Sequence, residues 1–513
     1  MVHFVQWSGS WIKVVSKVGA APDPAECQRE IPMRFHGLFS SGAAMFATAA
    51  VVAGNGFTIT PLVLQGDEIE DGVQVTLIES LDVNNSGNWI LELGTDAPTE
   101  FNRVVVIDGK ISYRKGFGFD EPRGGLISSF DSVRINGNGD IGWNLFFTGS
   151  LPSNLDSGVF FNDTLLIQES DETTDTDSLT PGTPYIGFFE TRMNDNDQLF
   201  VVASVNDENL PTSVDRVLVW LDYDSGANTF VESVLWKERD ILPGQTEEAL
   251  DFGTGTEAQA INNAGQAFFS VSLSGPTATN AALYIDDQLI VQKGDESPIA
   301  GRTFTNIGTS TRLDMNADGD WVFVGNISGD TATNQVIVSN GSVIAQRGTP
   351  APGTDVDLGT FGTSPVRIDD NGSVWWYANL TGDSSQNAGL FRDGELLIRK
   401  GVEVDGFTFT TIAGSTSFSG ITKGFSVSPN GQYMLFRGIL DDGRRGAFLV
   451  TFDGCPNSAD LTGDGMVGGA DLGVLLEAWG SCPAGAPCAA DLNCDGVVDG
   501  ADLGILLKAW TAR

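Results

Sequence analysis

Histidine is almost absent from this chain. The two that occur, His3 and His36, lie in the first 36 of 513 residues, together with Cys27, one of only five cysteines. Beyond that segment no Ser-His-Asp or Cys-His nucleophile pair can be assembled. A GxSxG elbow, a P-loop and an HExxH zinc motif are also missing from the sequence. Basic residues are scarce: 28 Lys plus Arg face 67 Asp plus Glu, a net charge of -39. Such a field repels nucleic acid and anionic membrane and attracts cations such as calcium. The apolar run from Leu38 to Val52 is too short to span a bilayer comfortably. What the chain has in quantity is Gly, 63 residues, and 41% hydrophobic residues, enough for a large core.

Read from Met33, MRFHGLFSSGAAMFATAAVVAGNG has a short basic start, an apolar run and small residues at Val51 and Ala53. This is the pattern of a secretory signal peptide, with cleavage after Ala53 or Ala49. The expectation is translation from Met33, a dispensable segment 1–53, and a product that is secreted or displayed at the cell surface. The remaining chain would carry 64 acidic and 24 basic residues, a net charge of -40, and four cysteines, Cys455, Cys482, Cys488 and Cys494. An even count confined to one short region of an exported protein implies disulfides, with three pairings open.

Between residues 54 and 454 one phrase recurs: an apolar residue, Asn or Asp, one or two polar residues, Gly, then alternating aromatic and aliphatic residues. The copies are VNNSGNWILEL, INGNGDIGWNL, MNDNDQLFVVASV, INNAGQAFFSVSL, MNADGDWVFVGNI, IDDNGSVWWYANL and VSPNGQYMLFRGIL. Their second residues are Asn84, Asn136, Asn194, Asn262, Asn316, Asp369 and Ser428, spaced by 52 to 68 residues. A second phrase follows, two short strands around a tight turn, as in VVVIDGKISYRKG and VIVSNGSVIAQRG. Period-two alternation broken by such turns signals β-hairpins, so each unit supplies about four strands. The last copy ends at GAFLVTFDG without its return strand, and the missing strand stands at the other end as FTITPLVLQGD, from Phe57 to Asp67. Pairing those ends closes a ring and removes its exposed edges. The fold expected is all-β, a seven-bladed β-propeller; a pair of β-sandwiches, or an eighth blade hidden between Asn194 and Asn262, are the alternatives. The VSPNGQYMLF copy is similar to the Ser-Pro-Asp-Gly turn of some bacterial propellers.

Acidic turns such as Asn316 to Asp320 partly match calcium loops, but Asn, Asp and Gly are what tight turns require, and an acidic twelfth position is missing. Trp375-Trp376-Tyr377 reads as blade core rather than a sugar platform, because alternate residues of a strand face opposite sides. No carboxylate stands out from the repeats, so a non-catalytic propeller is expected. Glycoside hydrolysis needs only two carboxylates, which keeps a polysaccharide-degrading glycosidase or lyase, or a carbohydrate-binding propeller, as the rival reading.

Residues 455–513 differ. DLTGDGMVGGADLGVLLEAW is followed 31 residues later by DLNCDGVVDGADLGILLKAW. The first copy offers Asp460, Thr462 and Asp464 at loop positions 1, 3 and 5, the Met466 carbonyl at 7 and Asp471 at 12; the second offers Asp491, Asn493, Asp495, the Val497 carbonyl, Asp499 at position 9, and Asp502. Oxygen ligands in this order surround a hard cation, and the glycine at position 6 permits the sharp turn. Each loop precedes a helix with an apolar stripe, Leu472, Leu475, Leu476 and Trp479 or Leu503, Leu506, Leu507 and Trp510, expected to bury each other. Two calcium ions and disulfides would staple so small a core. This tail resembles a type I dockerin, and its Gly-Ala-Asp-Leu and Ala-Trp phrases and flanking cysteines bring it closest to GC-type dockerin anchoring domains. The resemblance implies a small all-α calcium-binding module that attaches to a cohesin-like or other surface anchoring protein through loop positions 10 and 11, here Gly469-Ala470 and Gly500-Ala501. Those pairs depart from the hydroxyl residues of cellulosomal members. A polysaccharide or protein ligand is expected on the propeller face.

Overall fold

The computed structural model describes residues 56–131, 133–208, 210, 216–255, 257–413, 424–452, 459–462, 466–482, 488–492 and 497–510, and the backbone of 2–7 and 10–15. Residues 1–50 form one unit, in which Val2–Trp7 pairs antiparallel with Ser10–Val15. The signal-type segment from Met33 to Ala53 lies outside the described residues.

From Phe57 to Phe452 the chain forms seven antiparallel sheets of four main strands each. Blade 1 runs through Val73–Val83, Trp89–Thr95, Arg103–Ile107 and Lys110–Arg114, blade 2 from Gly125–Asp131 to Thr164–Gln168, and blade 3 from Tyr185–Met193 to Thr229–Lys237. Blades 4, 5 and 6 end in Gln288–Gln292, Ser342–Gln346 and Glu395–Arg399. In blades 4, 5 and 7 the first strand is interrupted and two short segments pair with the same second strand. Among the described residues the interval from Asn194 to Asn262 adds no eighth blade; it holds the last three strands of blade 3, Gln198–Val205, Arg216–Asp224 and Thr229–Lys237, and the interrupted first strand of blade 4, Ala249–Phe252 and Gln259–Ile261. Nor are the sheets stacked as a pair of sandwiches, because all seven first strands line one central cavity.

Blade 7 is closed by the N-terminal strand. Phe57–Leu64 pairs antiparallel with Arg445–Phe452, from Phe57 opposite Phe452 to Leu64 opposite Gly446. The Asp405 carboxylate accepts the Ile59 N–H at 2.5 Å, so the closing strand is also held by a side chain of its own blade. Phe57, Ile59 and Val63 are buried, and Phe57 packs on Phe452.

The recurring asparagine works twice. In each turn its carboxamide oxygen accepts backbone N–H groups two or four residues ahead, as Asn84 does from Ser86 and Asn88 at 3.0 Å. Its amide then donates to the main-chain carbonyl of the matching residue in the next blade: Asn84 to Asn136 (2.9 Å), Asn136 to Asn194 (3.2 Å), Asn194 to Asn262 (2.9 Å), Asn262 to Asn316 (3.1 Å) and Asn316 to Asp369 (2.9 Å). Buried amides must find partners, and this ladder supplies them while fixing the blades in register. Between blades 7 and 1 the link is shifted along the turn: the Asn430 N–H, two residues after Ser428, donates to the side chain of Asn85, one residue after Asn84, at 2.7 Å.

The outer hairpins repeat with equal regularity. Asp108, Asn162, Asp286, Asn340 and Asp393 adopt left-handed φ near +50°, a conformation that Asn and Asp tolerate best among non-glycine residues. Each side chain accepts an N–H at the start of its blade's second strand, from Trp89, Ala267, Trp321 and Val374, or just before it, from Ile141, at 2.8 to 3.0 Å. Trp375, Trp376 and Tyr377 are each at most 2% exposed. Trp375 and Tyr377 face the core shared with blade 7, while Trp376 faces that shared with blade 5.

The C-terminal segment carries helices α1 (Gly469–Glu477) and α2 (Gly500–Lys508). The expected mutual burial of two four-residue stripes is only half realised. Leu475 and Leu506 are fully buried and Leu472 and Leu503 partly so, but Leu476, Trp479, Leu507 and Trp510 are exposed. Both helices stop before their tryptophan, which leaves the helical register, and the apolar loop residues Val467, Val498, Ala490 and Leu492 fill the core instead. Among the described residues no helix is long and apolar enough to cross a membrane.

Candidate functional site

Two places gather polar side chains beyond what turns and strands require. The first is the paired loop–helix tail. Asp471 and Asp502 sit in the first turns of α1 and α2, 1% and 0% exposed, and both fold back onto the preceding loop. Asp471 accepts the Thr462 N–H (2.9 Å) and hydroxyl (3.0 Å) and the Gly468 N–H (2.8 Å). Asp502 accepts the N–H groups of Leu492 (2.6 Å) and Asp499 (2.7 Å). The Gly468 N–H, and then Thr462, hold the Asp471 carboxyl below the usual carboxylate range. Asp460 lies within reach of the Thr462 hydroxyl at 3.4 Å, and Asp491 is buried. Asp499 caps α2 by accepting the Ala501 N–H at 2.7 Å, a role Gly468 cannot fill in the first copy. The Met466 and Val497 side chains point to solvent, as befits positions expected to contribute only a carbonyl. Asp464, Asn493 and Asp495 lie outside the described residues, as do Cys455 and Cys494.

Cys482 and Cys488 are joined in a disulfide between the end of α1 and the second loop. Their sulfurs and the Asp491 carboxylate lie within 4.8 Å of one another, but disulfide sulfurs are not thiolates and offer no soft-metal site. The donors in the described loop residues are all oxygens, a set that fits a hard cation such as calcium.

The second place is the mouth of the central channel, a cavity of about 180 Å³. Two residues before each turn residue, every blade presents one side chain to it: Asp82, Arg134, Arg192, Ala260, Asp314, Arg367 and Ser426. Arg134, Arg192 and Arg367 are 7 to 8% exposed and converge on two buried carboxylates. Glu190 meets Arg134 and Arg192, each at 3.3 Å, and Glu257 of blade 4 meets Arg367 at 2.6 Å, Arg134 at 3.7 Å and Arg192 at 3.9 Å. Asp82 accepts the Ile135 N–H (3.1 Å) and the Ser426 hydroxyl, and Asp314 accepts the Ile368 N–H (3.1 Å). Burial raises the Asp314 carboxyl to about 6 despite Arg367 nearby. Within blade 1, burial and then the charge of Glu79 push the Glu92 carboxyl well up, with Arg103 ion-paired to Glu79.

The channel cluster was missed in the sequence because its members are single charged residues, one per unit, embedded in apolar strands. Aligning the units on their turn residue exposes it, since a charge occurs at the same offset in five of seven copies.

A model of a family of unknown function, DUF7453, matches residues 35–289 and again 238–444, a doubled match that suits a chain built from one repeated unit. No curated protein matches the chain. Solved structures resembling it include the β-propeller domain of the Trilobed protease from Pyrococcus furiosus, at 12% identity and a TM-score of 0.38 over 74% of this chain and 96% of that one. Others are an acylaminoacyl peptidase from Pyrococcus horikoshii, at 12% and 0.34 over 72% and 52%, and the polysaccharide lyase Uly1, at 10% and 0.31 over 83% and 95%. The chain belongs to the DUF7453 family.

Proposed function

We propose that this protein is an exported, non-catalytic propeller held outside the cytoplasm by a calcium-dependent, dockerin-like tail. The observation that carries the reading is the duplicated fold-back of Asp471 and Asp502, each buried at the head of a helix and hydrogen-bonded to the start of its own loop. A loop closed in this way gathers its oxygens around one point, as a calcium loop does. Bound calcium would supply the positive charge that holds the loop carboxylates together. Asp460, Thr462, Asp464, the Met466 carbonyl and Asp471 would hold one ion; Asp491, Asn493, Asp495, the Val497 carbonyl, Asp499 and Asp502 the other.

Ordered loops would in turn fix α1 and α2, and with them the exposed Leu476, Trp479, Leu507 and Trp510. Apolar side chains left in water next to two related helices suit a protein partner, and a cohesin-like module is the one the loop pattern favours. The strongly acidic propeller would then be the displayed part.

The test is retention. Full-length protein should sediment with producing cells and be released by a calcium chelator, while the Asp471→Asn/Asp502→Asn variant should appear in the medium. Cell association unaffected by chelator, or by the double variant, would refute calcium-dependent anchoring.

A further inference from the structure

The two calcium-type loops carry similar oxygens but are not held alike. Cys482 and Cys488, both partly buried against the small core of the tail, close a disulfide beside the second loop. At the repeat distance of 31 residues the counterpart of Cys488 is Asn457 and that of Cys482 is Arg513, so the sequence offers the first loop no equivalent bond.

The bond joins two points that carry ligand positions. On one side, the Cys488 carbonyl accepts the N–H of Asp491, the residue at loop position 1, at 3.1 Å. The Cys482 sulfur lies 3.4 Å from the Asp491 carboxylate. On the other side, Cys482 directly follows Gly480–Ser481, a two-residue strand that pairs antiparallel with Val497–Val498. Its register sets Ser481 opposite Val497, the residue whose carbonyl stands at position 7. Position 12 is fixed separately, by the fold-back of Asp502 onto the N–H groups of Leu492 and Asp499. The first loop shares the fold-back, through Asp471, but not the crosslink. Gathering oxygens around a cation removes conformational freedom from the loop and sets carboxylates against one another. A crosslink that has already removed part of that freedom lowers the cost of binding.

We propose that the Cys482–Cys488 disulfide is the positioning element of the second calcium loop, holding positions 1 and 7 in register so that a cation meets an assembled site. The cysteines donate nothing to the ion; they act through Asp491 and Val497. This role rests on the calcium reading of the tail and adds an asymmetry to it, since two loops with similar oxygens respond differently to the loss of one bond.

Calorimetric calcium titration of full-length chains, one loop at a time, tests this. Asp471→Asn leaves the second loop to bind, and Asp502→Asn leaves the first. Adding Cys482→Ser/Cys488→Ser is expected to weaken calcium binding about tenfold or more in the Asp471→Asn chain. In the Asp502→Asn chain the same change should leave the affinity within about twofold. Unchanged affinity of the second loop would overturn the proposal. Equal weakening of both loops would overturn it too, because the bond would then stabilise the tail as a whole without positioning one site. A chain with its cysteines intact that takes up no calcium would instead overturn the calcium reading on which the proposal rests, so the two failures are told apart.

Discussion

Asp369 stands where five other blades have asparagine, and the reason lies six residues ahead. Only in blade 6 is that residue a tryptophan, and the Trp375 indole N–H donates to the second oxygen of Asp369 at 2.9 Å. An asparagine would set its NH₂ against that N–H, donor facing donor. Asp369→Asn is therefore expected to destabilise by roughly 1 to 3 kcal/mol. Coupling is the diagnostic: in urea denaturation the cost of Asp369→Asn should be smaller in a Trp375→Phe background, whereas additive effects would contradict the explanation. Asp314 gives a second prediction at this scale. Burial raises its carboxyl from 3.8 to about 6, so between those values the unfolded chain releases the proton first. The stability contributed by the neutral acid is full below about pH 4 and is lost as pH rises to about 6. Asp314→Asn cannot titrate. The melting temperature of the wild type should therefore fall relative to this variant across that window and run parallel to it above; a constant difference throughout would contradict the assignment.

At the scale of elements, the closing strand and the terminal helices behave oppositely under substitution. Ile59 is 3% exposed and pairs with Val450 across the seam. Ile59→Ala should cost about 2 to 5 kcal/mol, seen as a lower denaturation midpoint for the whole ring. Leu476, 53% exposed on α1, should tolerate alanine within about 0.5 kcal/mol. Equal effects would mean that the seam is not part of the core. The closing strand was legible in the sequence because a repeat with a missing member and a spare strand at the other end admit few arrangements. The helix faces were less so: the i, i+3, i+4 spacing located Leu475 and Leu506, but could not show that the loop residues Val467 and Val498 would occupy the remaining core positions.

At the scale of the molecule, two kinds of information are separated. Local turn chemistry, Asn84 and its counterparts, repeats every blade and is readable from one chain. The ion network around Glu257 joins blades 2, 3, 4 and 6 across the axis, through residues that mean nothing until the ring is closed. Buried arginines reinforce other seams: Arg312 donates to the Phe361 (3.0 Å) and Ser364 (2.6 Å) carbonyls, and Arg437 to those of Ile78 and Glu79 at 3.1 Å. Burial lowers both guanidiniums to about 10. The tail lies between these extremes, since its motif was plain in the sequence while its exposed apolar face was not. The proposed anchoring rests on that tail binding calcium, and isothermal titration of the chelator-treated full-length chain tests it most directly. Two calcium ions per chain are predicted, falling to one in Asp502→Asn; a chain that takes up no calcium would contradict it.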